Sequence, residues 1–139
     1  MEKQNIIIFC DGGSRGNPGP AASAFVVTNN DNLIFKGSKF LGIETNNVAE
    51  YTAVSIAIDW LIKEKINSEV IFNLDSQLVE RQLNDFYKIK NDKLKKLAEE
   101  IKLKINSSKL NVKFRWGYRS DNTLADNLVN EVLDKNTSR

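Results

Sequence analysis

Residues 5–10 form the run NIIIFC, whose last five residues are an uninterrupted apolar stretch that is rich in β-branched side chains. A strand with one face in water alternates apolar and polar residues, whereas an unbroken apolar run is typical of a strand buried on both faces. Such a strand lies in the middle of a sheet that is covered on both sides. We therefore expect an α/β fold built around this strand.

The remaining pattern predicts the element order βββαβααβα. Residues 21–28 and 33–42, which NNDN separates, are typical of a hairpin that continues the sheet as an antiparallel meander. Further helices are predicted at 47–65, near Ser76, at 91–105 and at 123–135, and further strands at 69–74 and 110–116. This order predicts a five-stranded mixed sheet, three antiparallel strands followed by two parallel ones, with helices on both faces.

The composition excludes several kinds of catalysis. The chain has 139 residues, no histidine and one cysteine, Cys10. It therefore has no Ser-His-Asp or Cys-His triad, no imidazole ligand for zinc, and no intrachain disulfide or thiolate zinc cluster. Carboxylates, amides, hydroxyls, lysine and arginine remain, and oxygen ligands of this kind favour hard cations such as Mg²⁺ and Mn²⁺.

Length and charge indicate the general class of protein. The chain is 41% hydrophobic and 27% charged, which predicts one globular domain over residues 1–139. No apolar run approaches the roughly 20 residues of a membrane span, and the start has no signal-peptide pattern, so a cytoplasmic monomer without membrane or protein partners is expected. A net charge of +2 permits nucleic-acid binding without requiring it.

Four acidic residues occupy positions where charge is unusual. Asp11 and Asp75 directly follow apolar strands, Glu50 shares a helix face with core residues, and Asp126 borders the apolar face of the last helix. Local alternatives exist: Asp11 suits a turn, Asp75 suits a helix N-cap, and the other two suit capping boxes. Carboxylates at neighbouring strand ends would nevertheless face one cleft, where ligands bind in open α/β sheets.

Four gathered acids with no histidine would repel one another unless a cation bound between them. Two divalent metal ions that carboxylates bridge are a common device for in-line phosphoryl displacement. The glycine-rich segment 11–20 matches neither the phosphate-loop pattern nor the dinucleotide-binding pattern, which argues against a nucleotide-dependent enzyme. The residues therefore favour metal-dependent chemistry on a phosphodiester.

Four segments in order carry a resemblance to a known family. They are DGGSRGNPGP at 11–20, TNNVAE at 45–50, DSQ at 75–77 and NTLAD at 122–126, and each contains one of the four acids. Together they closely resemble type 1 ribonuclease H, also called ribonuclease HI. The resemblance spans residues 11–126 and implies the ribonuclease H-like fold, whose element order agrees with the one predicted above.

The resemblance also implies an activity and its residues. Members cleave the RNA strand of RNA–DNA hybrids endonucleolytically with Mg²⁺ or Mn²⁺, two ions per site, and leave 5′-phosphate and 3′-hydroxyl ends. The catalytic, metal-binding acids would be Asp11, Glu50, Asp75 and Asp126. The minor-groove contacts would be Asn17, Asn47 and Gln77, with neighbouring contacts from Gly16 and Asn46, and Thr45 would bind a phosphate of the DNA strand.

The chain departs from many members in two places. The loop before the last aspartate has no histidine, and Arg119 is the natural substitute, as in archaeal-type members. Arginine stays protonated, so Arg119 would hold a phosphate or stabilise charge on the leaving group, unless it is simply a solvated loop residue. The basic protrusion of many bacterial members is also missing. Trp116, which ends the fifth strand, is placed to touch substrate but is expected to pack in the core instead.

Three other interpretations differ in function. One is a related nuclease that also acts on double-stranded RNA or RNA–DNA junctions, which the arginine loop and the short form suggest. Another is a noncatalytic nucleic-acid-binding module, which the loss of any acid would favour, and none is lost. The last is an α/β protein that binds sugar phosphates through the glycine-rich segment, and failure to bind hybrid would favour it.

Overall fold

The computed structural model describes residues 4–137, and its first strand, β1 (Ile6–Ser14), lies in the middle of a five-stranded sheet. β1 pairs antiparallel with β2 (Gly19–Asn29) and parallel with β4 (Val70–Leu74). The edge strands are β3 (Asn32–Glu44), antiparallel to β2, and β5 (Val112–Trp116), parallel to β4. The order β3-β2-β1-β4-β5 confirms the predicted mixed sheet. Residues 1–3 and 138–139 of the predicted domain lie outside the described residues.

Four helices cover the sheet, as the element order predicted. They are α1 (Asn46–Lys63), α2 (Gln77–Leu83), α3 (Asp92–Ser107) and α4 (Thr123–Asn136), and a 3₁₀ turn (Arg119–Asn122) precedes α4. The main core lies between the first three helices and one face of the sheet, whereas Val129 and Leu133 of α4 pack on Ala22 and Ala24 at the other face. None of the helices within residues 4–137 has the length and apolarity needed to cross a membrane.

The central strand is longer than the sequence predicted. The turn was expected to begin at Asp11, but β1 continues to Ser14 and pairs with β2 through four further residues. Helix α1 crosses β1 so closely that a Cβ on Gly12 would lie 2.2 Å from the backbone of Ala49. Glycine at this position therefore allows α1 to approach the strand, and the connecting loop shrinks to residues 15–18.

Candidate active site

Three acidic side chains meet at one end of the sheet. Asp11 comes from β1, Glu50 from α1 and Asp75 from the residue after β4, and their carboxylate oxygens lie within 4.8 Å of one another. β1 and β4 are parallel neighbours, so the first and third acids reach the same edge. The close crossing of α1 over Gly12 brings Glu50 to them.

Asp126 faces the same group of acids from the other side of the sheet. It lies in the first turn of α4 and lines a cleft of about 410 Å³ together with the three clustered acids. It lies close enough to Asp11 for its charge to raise the pKa of that carboxyl. The structure thus brings together all four acids that the sequence singled out.

Burial and mutual repulsion raise the pKa values of the clustered acids. The Asp11 side chain is nearly inaccessible, and burial, followed by the charges of Asp75 and Asp126, raises its pKa from 3.8 to about 7. Burial is also the largest cause that raises the pKa of Glu50, with further contributions from Asp75 and Asp11. A set of crowded, desolvated carboxylate oxygens fits a hard divalent cation, which would relieve the repulsion.

Hydrogen bonds at the helix starts show that the acids do not serve as caps. Thr45 caps α1 and Ser76 caps α2, because their side-chain oxygens accept hydrogen bonds from backbone N–H groups of those helices. The last helix has no side-chain cap within the described residues. The local alternatives for Glu50, Asp75 and Asp126 are therefore wrong, and these carboxylates point into the cleft instead.

The loop at residues 15–18 is tied to the start of α1 beside the cleft. The side-chain oxygen of Asn17 accepts a hydrogen bond from the backbone N–H of Asn46, at 3.0 Å. In return, the side-chain oxygen of Asn46 accepts from the backbone N–H of Ser14, at 2.8 Å. Gly16 allows the turn, since its φ of +93° lies in the region that glycine tolerates. These two hydrogen bonds hold Gly16, Asn17 and Asn46 next to the acids.

The other predicted substrate residues lie at the starts of two helices. Thr45 accepts through a lone pair to cap α1, so its O–H can still donate to a ligand. Asn47 is half-buried in the first turn of α1, and Gln77 is exposed at the start of α2. Both helices begin at the end of the sheet that carries Asp11 and Asp75, so all predicted contact residues share one side of the molecule.

Arg119 lies in the 3₁₀ turn and lines the cleft with the four acids. Although burial raises the pKa of Asp75, the guanidinium charge of Arg119 is the largest effect that opposes the rise. The structure thus places this arginine where it interacts electrostatically with an acid of the cluster. Its side chain remains exposed, so it is accessible to a charged ligand.

A buried pair of asparagines, which sequence reasoning missed, connects the elements that carry three of the acids. The side-chain NH₂ of Asn73 in β4 donates to the side-chain oxygen of Asn122 at 2.7 Å. Asn122, which precedes α4, donates in turn to the backbone oxygen of Cys10 at 2.6 Å, directly before Asp11. The polar Asn73 inside the apolar run EVIFNL and the position of Asn122 at the start of NTLAD were the sequence signals for this contact.

We predict that Asn122→Ala lowers both stability and the catalytic rate. The change removes the acceptor of the buried Asn73 side-chain NH₂ and a donor to the backbone oxygen of Cys10, which we expect to cost about 2–4 kcal/mol in the free energy of unfolding. It also releases α4, so Asp126 would lose its fixed position. Urea unfolding and kcat would be measured beside Asn136→Ala, an exposed amide on the same helix. Equal effects of both changes would contradict the prediction.

Comparison with known proteins places this arrangement in context. A protein family described as reverse transcriptase-like matches residues 9–132. A bifunctional protein of Mycobacterium tuberculosis is 34% identical over 131 residues, which are 93% of this chain and 35% of that protein. Ribonuclease H of Helicobacter acinonychis is 36% identical over 109 residues, 70% of this chain and 72% of that protein. The chain thus spans about a third of the mycobacterial relative.

Two solved structures are also similar. LC11-RNase H1 in complex with an RNA/DNA hybrid has a TM-score of 0.92 and 38% identity, and the match covers 96% of this chain and all of that one. RNase H1 from the halophilic archaeon Halobacterium salinarum has a TM-score of 0.86 and 31% identity, with 94% of this chain and 98% of that chain covered. The similarity therefore includes the whole length of the first protein.

Proposed function

Because this chain belongs to the type 1 ribonuclease H family, we propose that it hydrolyses the RNA strand of RNA–DNA hybrids and leaves 5′-phosphate and 3′-hydroxyl ends. The observation that carries the proposal is the convergence of Asp11, Glu50 and Asp75 in one cleft. It is supported by the similarity to LC11-RNase H1, whose structure contains an RNA/DNA hybrid.

The four acids would hold two divalent cations, Mg²⁺ or Mn²⁺. Bound cations of this kind activate a water molecule and stabilise charge on the leaving oxygen. The contribution of the chain is a fixed group of oxygen ligands: Asp11 is held in a strand, Glu50 in a helix, and Asp75 directly before the cap of α2. Because Asp11 is buried and the other acids are half-buried, the carboxylates repel one another, and this repulsion favours uptake of the cations.

The amide and hydroxyl side chains around the cleft would recognise the hybrid. Asn17, Asn47 and Gln77 can both donate to and accept from a ribose 2′-hydroxyl, the group that distinguishes RNA from DNA. Asn46 and the backbone at Gly16 would contact neighbouring groups in the minor groove. The free O–H of Thr45 would donate to a phosphate of the DNA strand. The two hydrogen bonds between the loop and the start of α1 hold Asn17 and Asn46 in place before the substrate binds.

Arg119 would hold the phosphate or stabilise charge on the leaving group. We predict that Arg119→Ala lowers kcat roughly 10- to 100-fold and that Arg119→Lys retains part of the activity, because lysine keeps the charge without the planar fork. Since arginine stays protonated and lysine keeps its charge beside Asp75, Arg119→Lys should leave the shape of the pH–rate profile intact. Lys36→Ala, which removes an exposed cation from β3, provides the control. Equal rates for Arg119→Ala and the control would contradict this role.

Cleavage of defined substrates tests the proposed function. End-labelled RNA annealed to DNA would be incubated with Mg²⁺, Mn²⁺ or EDTA, beside RNA–RNA duplex and single-stranded RNA. We expect metal-dependent cleavage of the hybrid alone. Better cleavage of double-stranded RNA or RNA–DNA junctions would indicate the related nuclease instead. Binding of hybrid without cleavage under any metal would indicate a noncatalytic module.

A further inference from the structure

Two exposed aromatic side chains flank a second cleft next to the candidate active site. Trp116 ends the edge strand β5 and is 52% exposed, so the prediction that it packs in the core is wrong. Tyr118 follows two residues later and is 82% exposed. Together with Asp75, Gly117 and Arg119 they line a cleft of about 470 Å³. Neither ring stacks on another aromatic ring within residues 4–137.

The backbone beneath these rings is held firmly. The N–H of Gly117 donates to the carbonyl of Leu74 at 2.9 Å, which continues the pairing of β5 with β4. A Cβ on Gly117 would lie 2.1 Å from the side-chain oxygen of Asn73, so the chain passes directly over the buried asparagine pair. The two exposed rings therefore project from a fixed corner of the backbone. This corner is preorganised for a ligand with flat apolar faces.

The two clefts lie next to each other. Asp75 and Arg119 line both of them, so a ligand in the second cleft lies next to the acids that would hold the metal ions. The guanidinium of Arg119 brings positive charge to this boundary, where a nucleic-acid strand would carry phosphate. An aromatic surface beside a cationic group is the usual arrangement for holding single-stranded nucleic acid, because every base offers a flat face for stacking.

We propose that Trp116 and Tyr118 form an aromatic platform that binds an unpaired or terminal nucleobase of the nucleic-acid substrate. This inference rests on the proposed function. Bases inside a duplex are covered on both faces by their neighbours, so only a base at an end, a nick or an overhang can stack on the rings. The platform would therefore direct cleavage toward hybrid next to a single-stranded segment. Stacking of one base is expected to improve binding roughly tenfold.

Fluorescence of Trp116 provides a direct test of binding. The chain has two tryptophans, so Trp60→Phe leaves Trp116 as the only fluorescent tryptophan. Trp60 stacks on Phe35 and lies about 15 Å along α1 from Glu50, so this change is remote from the acids. Adding Asp11→Asn prevents cleavage during the titration. We expect hybrids with a short RNA or DNA overhang to quench Trp116 and to bind about tenfold more tightly than blunt hybrid. Equal quenching by blunt and overhanging hybrids, or none, would overturn the proposal.

Cleavage assays separate the platform from the catalytic centre. In the wild-type background, Tyr118→Ala and Trp116→Leu are expected to abolish the preference for overhanging over blunt hybrid, whereas Trp116→Phe, which retains a ring, should preserve it. Tyr87→Ala removes an exposed ring from a different cleft and should also preserve it. Because Tyr118 is almost fully exposed, its replacement should not affect folding. A preference that survives Tyr118→Ala and Trp116→Leu would overturn the proposal.

The same assays distinguish failure of this inference from failure of the proposed function. If the wild-type enzyme cleaves blunt hybrid but neither quenching nor preference depends on an overhang, only the platform is wrong. If the wild-type protein cleaves no hybrid under any metal, the proposed function itself fails. Separate RNA and DNA overhangs on either side of the hybrid would identify which strand supplies the base.

Discussion

Asp75→Asn is expected to lower the rate of hybrid cleavage on the order of 10³-fold or more, as removal of a central catalytic group commonly does. The amide keeps the size of the side chain but removes a negative charge from the group of acids whose oxygens lie within 4.8 Å of one another. The loss should therefore appear in both metal binding and turnover. Titration calorimetry with Mg²⁺ and single-turnover cleavage would measure the two effects.

Asp121→Asn is the matched control for this change. Asp121 is an exposed acid in the 3₁₀ turn that does not line the cleft, so we expect its neutralisation to change the rate less than about twofold. Full activity of Asp75→Asn in Mg²⁺ would show that this carboxylate is not needed to bind the metal. A loss of activity without a loss of Mg²⁺ binding would assign it a different role, since the clustered arrangement predicts both.

Asp11→Asn is expected to stabilise the metal-free protein at pH 8 by roughly 2–4 kcal/mol. The pKa of Asp11 is about 7 in the folded protein and 3.8 in its ordinary state, so between these values the folded chain holds a proton that the unfolded chain has released. The free energy of unfolding of the wild type therefore falls as the pH rises through this window. Asparagine does not titrate, so the variant escapes this loss.

Urea unfolding in EDTA at pH 4, 6 and 8 would measure this difference. The excess of the variant over the wild type in the free energy of unfolding should be small at pH 4, larger at pH 6 and complete at pH 8. Saturating Mg²⁺ should reduce or reverse it at pH 8, because only the intact cluster gains stability from the cation. Asp31→Asn, an exposed acid in the turn between β2 and β3, should change stability by less than about 0.5 kcal/mol. A difference that does not depend on pH would contradict the prediction.

Much of the fold followed from local patterns in the chain. The unbroken apolar run at 6–10 predicted a central strand because such a run is typical of a strand covered on both faces. The apolar spacing at 47–65 and 123–135 predicted helices that pack on a sheet, and both are present. Boundaries were less predictable: β1 extends past Asp11 because β2 supplies a partner and α1 crosses at Gly12, and neither contact is local.

The candidate site, like the fold, was predictable from the sequence only in part. All four acids, together with Arg119 and the amides of the loop and α1, were identified from the sequence because chemistry and motif order depend on residue type and spacing. Their distances, the pKa of Asp11 and the use of Thr45 and Ser76 as caps were not predictable. These features depend on which side chains meet after residues far apart in the chain are brought together.

Sequence alone determined the class of fold, the acids and the chemistry they can perform, since hydrophobic periodicity and residue type are local properties. The tertiary structure decided what surrounds those residues. It closed the contact from Asn73 through Asn122 to the backbone before Asp11, and it left Trp116 uncovered beside Asp75. Both results depend on how β1, β4, β5 and the start of α4 pack together, and no single segment of the chain encodes that packing.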